Sequence, residues 1–203
     1  GGRLWDVLFF DWEYYHNHLL EIPYIWQGGM AIQGGIIFAC IAAYFYLKKH
    51  QIPVLPFADT VTPGIILGQA IGRIANFMNG DAFGHPTGQD FGLLYPDTTL
   101  AYHTYGAQPL WPAEVWECQG DLLIFVLLLW YGCKTRAEGT TFCLYIMFYS
   151  LLRFFLENYR GDYGTLALGL KSAQLTSLAA FAGAFILFLY FHFKHKSKSG
   201  ISE

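Results

Sequence analysis

Thr60-Val61-Thr62-Pro63-Gly64-Ile65-Ile66-Leu67-Gly68-Gln69-Ala70-Ile71-Gly72-Arg73-Ile74-Ala75-Asn76-Phe77-Met78-Asn79-Gly80-Asp81-Ala82-Phe83-Gly84 runs from an apolar stretch into an arginine, two asparagines and an aspartate. A helix of about 20 residues crosses about 30 Å of hydrocarbon, and residues 60–79 meet that length. Polar groups are costly to keep at such a depth, so the turn from Gly72 to Gly84 reads as a functional site. Arg73 and Asn76 share one helix face, with Gly80 a further turn along. A permanent cation beside an amide and glycine-exposed backbone suits a phosphate diester. The same arginine can instead close a helix end against neighbouring carbonyls, and these residues alone leave both readings open.

The rest of the chain agrees with the lipid setting. Of 203 residues, 54% are apolar and 13% charged, against roughly 25% charged in soluble domains. The expected fold is all-α, a polytopic transmembrane helical bundle forming a single integral membrane domain over 1–203. Spans are read at 26–47, 60–79, 112–132, 140–157 and 168–193, and residues 1–15 look like another. The mean hydropathy of +0.32 fits spans joined by one sizeable polar segment at 80–111. The opening Gly1-Gly2-Arg3 has no initiator Met and no signal peptide, which predicts a native chain that starts upstream, with an amino-terminal helix missing. Cys40, Cys118, Cys133 and Cys143 lack metal-ligand spacing and read as free thiols filling small gaps.

A net charge of −3 makes no case for nucleic-acid binding. The basic residues are better read by place. Lys48 and Lys49, Lys134 and Arg136, and Lys194, Lys196 and Lys198 fall in three short segments that alternate with the other loops. Putting those segments in the cytoplasm satisfies the positive-inside rule and leaves 16–25, 80–111 and 158–167 outside. Arg73, Arg153 and Arg160 then sit at or near outer helix ends and need another explanation.

Other patterns bear on packing and chemistry. Gly64, Gly68 and Gly72 follow the small-xxx-small spacing of closely approaching membrane helices. In Gly28-Gly29-Met30-Ala31-Ile32-Gln33-Gly34-Gly35, paired glycines bracket one amide within an expected span, suggesting a kink or a close backbone approach to a bound group. Segment 80–111, rich in glycine and proline, reads as a small extracytoplasmic head or lid. Its His85 and His103 are candidate bases but read more simply as solvated loop residues. Tyr149, Arg153, Glu157 and Arg160 form one polar stripe on an apolar helix, either a self-neutralising charge ladder or a functional edge. No P-loop, zincin or nucleophile-elbow motif is present.

These residues match a family. Gly72 to Gly84 closely resembles the signature of the bacterial prolipoprotein diacylglyceryl transferases, and the likeness continues through Gly2-Arg3-Leu4, Gly28 to Gly35, Pro112 to Glu117, Arg153 to Arg160 and Gly169 to Gln174. The resemblance implies a multi-pass enzyme of the bacterial inner membrane with seven helices, about six of them in this chain, and no metal or cofactor. It implies transfer of the diacylglyceryl group of phosphatidylglycerol onto the lipobox cysteine thiol of prolipoproteins, releasing glycerol 1-phosphate, the first step of lipoprotein maturation.

The resemblance also assigns the site. Arg73 and Arg153 would hold the phosphate, Asn76 and Asn79 would supply hydrogen bonds, and Tyr149 would orient Arg153 or the headgroup. Glu157 would fix the arginines, with Gly80, Asp81, Gly84, Glu117 and Arg160 completing the substrate-binding set. Gln33 belongs with Arg73, Arg153, Asn76 and Tyr149 in the expected catalytic set, its amide bonding the headgroup; it stands where the family often has histidine and cannot act as a base. Trp111 replaces a second histidine, and Asp81 replaces a glutamate. The base is then Asp81, Glu117 or no single residue. Two rival readings remain from other classes: a non-catalytic relative that binds phospholipid or lipoprotein signal segments, and a small-solute transporter. The latter predicts internal repeats, which the sequence lacks.

Overall fold

A computed structural model describes residues 1–133, 137–161 and 170–199, apart from the side chains of Gln27 and 197–199. Lys134 and Arg136, the side chain of Lys198, Gly169 and most of segment 158–167 lie outside the described residues. The chain divides into two compact units, Gly1–Val54 and Leu55–Glu203.

The amino-terminal unit holds α1 (Gly2–Phe9), α2 (Trp12–Tyr15) and α3 (Ile32–Lys49), with 3-10 turns at Leu19–Glu21 and Ile25–Gln27. Residues 1–15 are therefore not one span. The helix stops at Phe10 and restarts after Asp11. The expected span at 26–47 also begins too early. Gly28 and Gly29 have φ of 88° and 65°, a backbone that glycine adopts at little cost. They form a loop ahead of α3 rather than a kink inside it. Gln33 is consequently an exposed residue in the first turn of α3.

Arg3 is what shapes that loop. Its Nε donates to the Ile22 carbonyl at 3.0 Å, Nη1 to those of Gly28 at 2.6 Å and Gly29 at 3.1 Å, and Nη2 to that of Glu21 at 3.2 Å. The guanidinium also lies 4.8 Å from the Tyr15 ring centroid. At the far end of α3, exposed Lys48 and Lys49 in the last turn complement the helix dipole.

The carboxy-terminal unit contains α4 (Val54–Asn79), α5 (Leu100–Tyr105), α6 (Ala113–Gly132), α7 (Thr140–Leu156) and α8 (Ser172–Ser199). No strand longer than an isolated bridge occurs among the described residues. Val54–Asn79 and Ser172–Lys196 are long and apolar enough to cross a membrane, and Thr140–Leu156 is a shorter apolar helix. Ile66 of α4 packs with Ile124 and Leu128 of α6, against Leu144, Tyr145, Phe148 and Tyr149 of α7. A Cβ on Gly120 would lie 2.5 Å from both Leu152 methyl carbons, so α6 and α7 approach closely here and any larger residue would have to displace the Leu152 side chain. Asp59 joins α4 to α7 by accepting the backbone N–H groups of Gly139 at 2.8 Å and Phe142 at 2.9 Å. It caps a helix whose own N-cap residue, Gly139, has no side chain to offer.

Two packing expectations fail. A Cβ on Gly64, Gly68 or Gly72 would meet nothing within 4 Å, so the close helix contact expected of that spacing is not made within this unit. Of the four free cysteines, Cys143 is buried and Cys118 half-buried, but Cys40 and Cys133 are exposed and fill no gap. The head segment, by contrast, is ordered about a small core of Phe83, Ala101 and Leu110. Thr99 caps α5 by accepting the Tyr102 N–H, and the Tyr105 hydroxyl donates to the Gly161 carbonyl at 2.8 Å.

Candidate active site

The site begins where α4 ends. Gly80 sits at φ 67°, the Asp81 N–H bonds back to the Asn76 carbonyl at 3.1 Å, and the Gly80 N–H to that of Phe77 at 3.3 Å. This is a Schellman stop, which glycine makes possible and which turns the chain back on itself. The reversal brings Asp81 over the last turn of the helix. Its Oδ1 accepts from Asn76 Nδ2 at 2.5 Å, and Asn76 Oδ1 accepts from Arg73 Nη1 at 3.2 Å.

The other face of Arg73 meets Glu117 on α6, with Nη2 3.1 Å from Oε1. Arg153 on α7 reaches the same carboxylate, Nη1 to Oε2 at 3.2 Å, and Arg160 Nη1 lies 3.7 Å from Oε2. The Tyr149 hydroxyl donates to Oε1 at 3.3 Å. Three guanidiniums and a phenol thus share one carboxylate that is 1% exposed. A carboxylate so buried is tenable only when its partners meet it with hydrogen bonds as well as charge.

Glu157, one turn beyond Arg153, pairs with it at 2.8 Å. Arg160 lies past the end of α7 and is held by Glu117, so the expected ladder along one helix becomes a network across α4, α6 and α7. Lys171 closes its far edge, donating to the carbonyls of Glu157 at 2.8 Å and Arg160 at 2.6 Å. Accessibility ranks the cations: the side chain of Arg73 is 21% exposed and that of Arg153 15%, against 6% for Arg160. Arg73 and Arg153 form the more exposed edge of the network.

The remaining sequence-derived residues make none of the contacts of Arg73 and Arg153 described above. Asn79, the last residue of α4, is exposed. Gly84 bridges to Arg160 in antiparallel fashion, and a Cβ there would lie 2.7 Å from that of Trp111, so its role in the fold is close approach. Gln33 belongs to the amino-terminal unit. Trp111 heads an aromatic group with Trp116 and Tyr159, at centroid distances of 5.6 and 5.3 Å. His85 is half-buried, with Nδ1 2.9 Å from the Pro86 carbonyl, and His103 is exposed.

Sequence reasoning missed three acidic and basic neighbours. Glu114 is fully buried and accepts the hydroxyl of Tyr95 from the head segment. Asp121, one turn after Glu117, is also fully buried, and neither oxygen has a hydrogen-bond partner among the described residues. Lys171 was the third. The i, i+4 spacing of Glu117 and Asp121 on an apolar helix was the available signal.

The sequence model of the family described as prolipoprotein diacylglyceryl transferase matches residues 1–190. The chain is 38% identical over 179 residues to the phosphatidylglycerol–prolipoprotein diacylglyceryl transferase of Geobacillus kaustophilus, covering 87% of this chain and 66% of the relative. The proteins of the same name from Staphylococcus saprophyticus and Clostridioides difficile are 38% and 37% identical, with 64% and 76% of their lengths covered and 87% and 100% of this chain. The chain therefore spans just under two thirds of the first two of these relatives. By the match along nearly its whole length, the chain belongs to the prolipoprotein diacylglyceryl transferase family.

Proposed function

We propose that this protein transfers the diacylglyceryl group of phosphatidylglycerol to the thiol of a lipobox cysteine, releasing glycerol 1-phosphate. The observation that carries this reading is the convergence of Arg73, Arg153 and Arg160 on Glu117. Each guanidinium has five N–H donors in a planar fork, so one shared carboxylate leaves donors over for phosphate oxygens. The headgroup phosphate binds at the Arg73–Arg153 edge, and Glu117 keeps the two forks aligned before it arrives. As sulfur attacks the glyceryl carbon, the carbon–oxygen bond breaks and the diester's single negative charge grows towards two on the departing monoester. Fixed cations aimed at that charge stabilise the transition state more than the ground state. Tyr149 and Glu157 hold Arg153, and the Asn76–Asp81 pair holds Arg73.

In this reading α3, α4, α6, α7 and α8 are five spans of a seven-helix, multi-pass protein of the bacterial inner membrane, one fewer than the six expected of the sequence. The arginine edge and head segment 80–111 face outward, where a lipobox cysteine emerges. The alternation of basic segments with the other loops supports that orientation. The direct test is incorporation of labelled diacylglyceryl from phosphatidylglycerol vesicles into a lipobox peptide by the full-length protein. Phosphatidylglycerol binding without transfer would replace the transferase reading with that of a non-catalytic lipid-binding relative.

A further inference from the structure

Of the carboxyl groups around the arginines, only Asp121 has neither a hydrogen bond nor a salt bridge among the described residues; both Glu157 oxygens also lack a hydrogen bond, but Glu157 is paired with Arg153. Glu117 serves three guanidiniums and Tyr149. Asp81 takes the Asn76 amide, Glu157 lies 2.8 Å from Arg153, and Glu114 accepts from Tyr95. Protonating any of these would break a bond that shapes the site. Asp121 is 0% exposed and both of its oxygens lack a hydrogen-bond partner among the described residues. Its electrostatic neighbours are Glu117 and Cys118 on its own helix, Arg73 from α4, and Tyr145, Tyr149 and Arg153 from α7. An unpaired carboxylate in an apolar interior is costly, and a donor that arrives with the substrate relieves the cost.

We infer that Asp121 is the proton acceptor for the attacking thiol, an inference that rests on the transferase reading. Its place fits the geometry of the displacement. Asp121 lies on the same helix face as Glu117, about 6 Å further along at 1.5 Å per residue. Attacking and attacked atoms start about 3–3.5 Å apart, so a sulfur in line with the breaking bond stands roughly 5–6 Å from the phosphorus. A group one turn away from the phosphate cradle therefore stands beside the sulfur. Tyr145 and Tyr149, electrostatic neighbours of Asp121, also line a cleft of about 340 Å³ between α7 and α8, along with Ser150, Arg153 and Ser177.

In the step itself, the S–H proton passes to an Asp121 oxygen and the sulfur lone pair forms the bond to the glyceryl carbon. The carbon–oxygen pair leaves with the phosphate. The proton then moves to the departing phosphate monoester or to water, and Asp121 is restored.

The test compares wild type with Asp121→Asn and Asp121→Glu, using lipobox peptides that carry either cysteine or selenocysteine, whose selenol is already ionised at neutral pH. With the cysteine peptide at pH 7, Asp121→Asn should be at least about tenfold slower, and the gap should narrow as pH approaches the free thiol value near 8.5. With the selenocysteine peptide the gap should close, and Asp121→Glu should keep the wild-type pH profile. Equal loss with both nucleophiles at every pH, or no loss at all, overturns the assignment. Thermal unfolding and binding of phosphatidylglycerol vesicles report whether each variant is folded. If only Asp121→Glu folds, it decides: inactivity with the cysteine peptide at every pH overturns the role. A wild-type protein that modifies neither peptide overturns the transferase reading itself, a result distinguishable from failure of the variants alone.

Discussion

Arg3 and Arg153 are both mostly buried arginines near helix ends, yet they are satisfied in opposite ways. Arg3 sends its donors to four backbone carbonyls, those of Glu21, Ile22, Gly28 and Gly29. A guanidinium used up on carbonyls holds a loop and has little left for a ligand. Arg153 spends its charge on the carboxylates of Glu117 and Glu157, one of which it shares with two other arginines. Its charge is balanced collectively, and an incoming phosphate can compete for it. The sequence reading offered Arg73 both roles, helix-end closure or anion clamp. Arg73 bonds Asn76 and Glu117, whereas Arg3 bonds loop carbonyls, and it is the partners, not the residue type, that tell the two arginines apart.

Breaking the shared network should have the largest effect. Arg153→Ala removes a cation from the developing phosphate charge and should lower kcat for transfer by about 10²–10³, roughly 2.7–4 kcal/mol. Thermal unfolding checks that the variant is folded, and near wild-type turnover would place Arg153 with Arg3 as a structural residue. Glu117→Gln keeps the shape but leaves three guanidiniums without their common anion. It should lower unfolding stability by about 3 kcal/mol, read as a large drop in Tm. A smaller effect tests the fork geometry: Arg73→Lys keeps the charge and should slow transfer about tenfold, or ~1.4 kcal/mol. The mildest change sharpens the contrast. Arg3→Lys exchanges a planar fork bonded to four carbonyls for three donors on one atom, which should cost about 1–2 kcal/mol of stability, while kcat of the folded protein stays at the wild-type value.

The parts of the site legible in the sequence are the local ones. Arg73, Asn76, Gly80 and Asp81 are brought together by one helix turn and one glycine stop, and Arg153 with Glu157 by i, i+4 spacing. What spacing could not supply was the partner across the bundle. Glu117 is the common anion only because α4, α6 and α7 pack around Ile66, Ile124 and Leu128, a consequence of shape rather than of period. Glu114 and Lys171 were hidden for the same reason, whereas the i, i+4 spacing of Asp121 from Glu117 was a legible signal. The helices over 113–132 and 140–156 follow the apolar runs closely. The amino-terminal unit does not, because Arg3 stabilises a loop from carbonyls far along the chain, and hydropathy does not register a hydrogen bond between distant residues.

The cap that Asp59 places on α7 makes the spacing of Arg73 and Arg153 a matter of leverage. Its oxygens fix the start of α7 to α4, while Arg73 sits about 20 Å further along α4 at 1.5 Å per residue. Two rods joined near one end behave like a caliper, and a small change in angle at the joint moves the tips by far more than it moves the joint. A rotation of a few degrees at Asp59 would shift one tip by roughly 1 Å over that length, the scale at which misplaced groups lose about 10²-fold in rate. A side chain at the opposite end of the helix from the chemistry thereby sets the tolerance to which the two arginines are spaced.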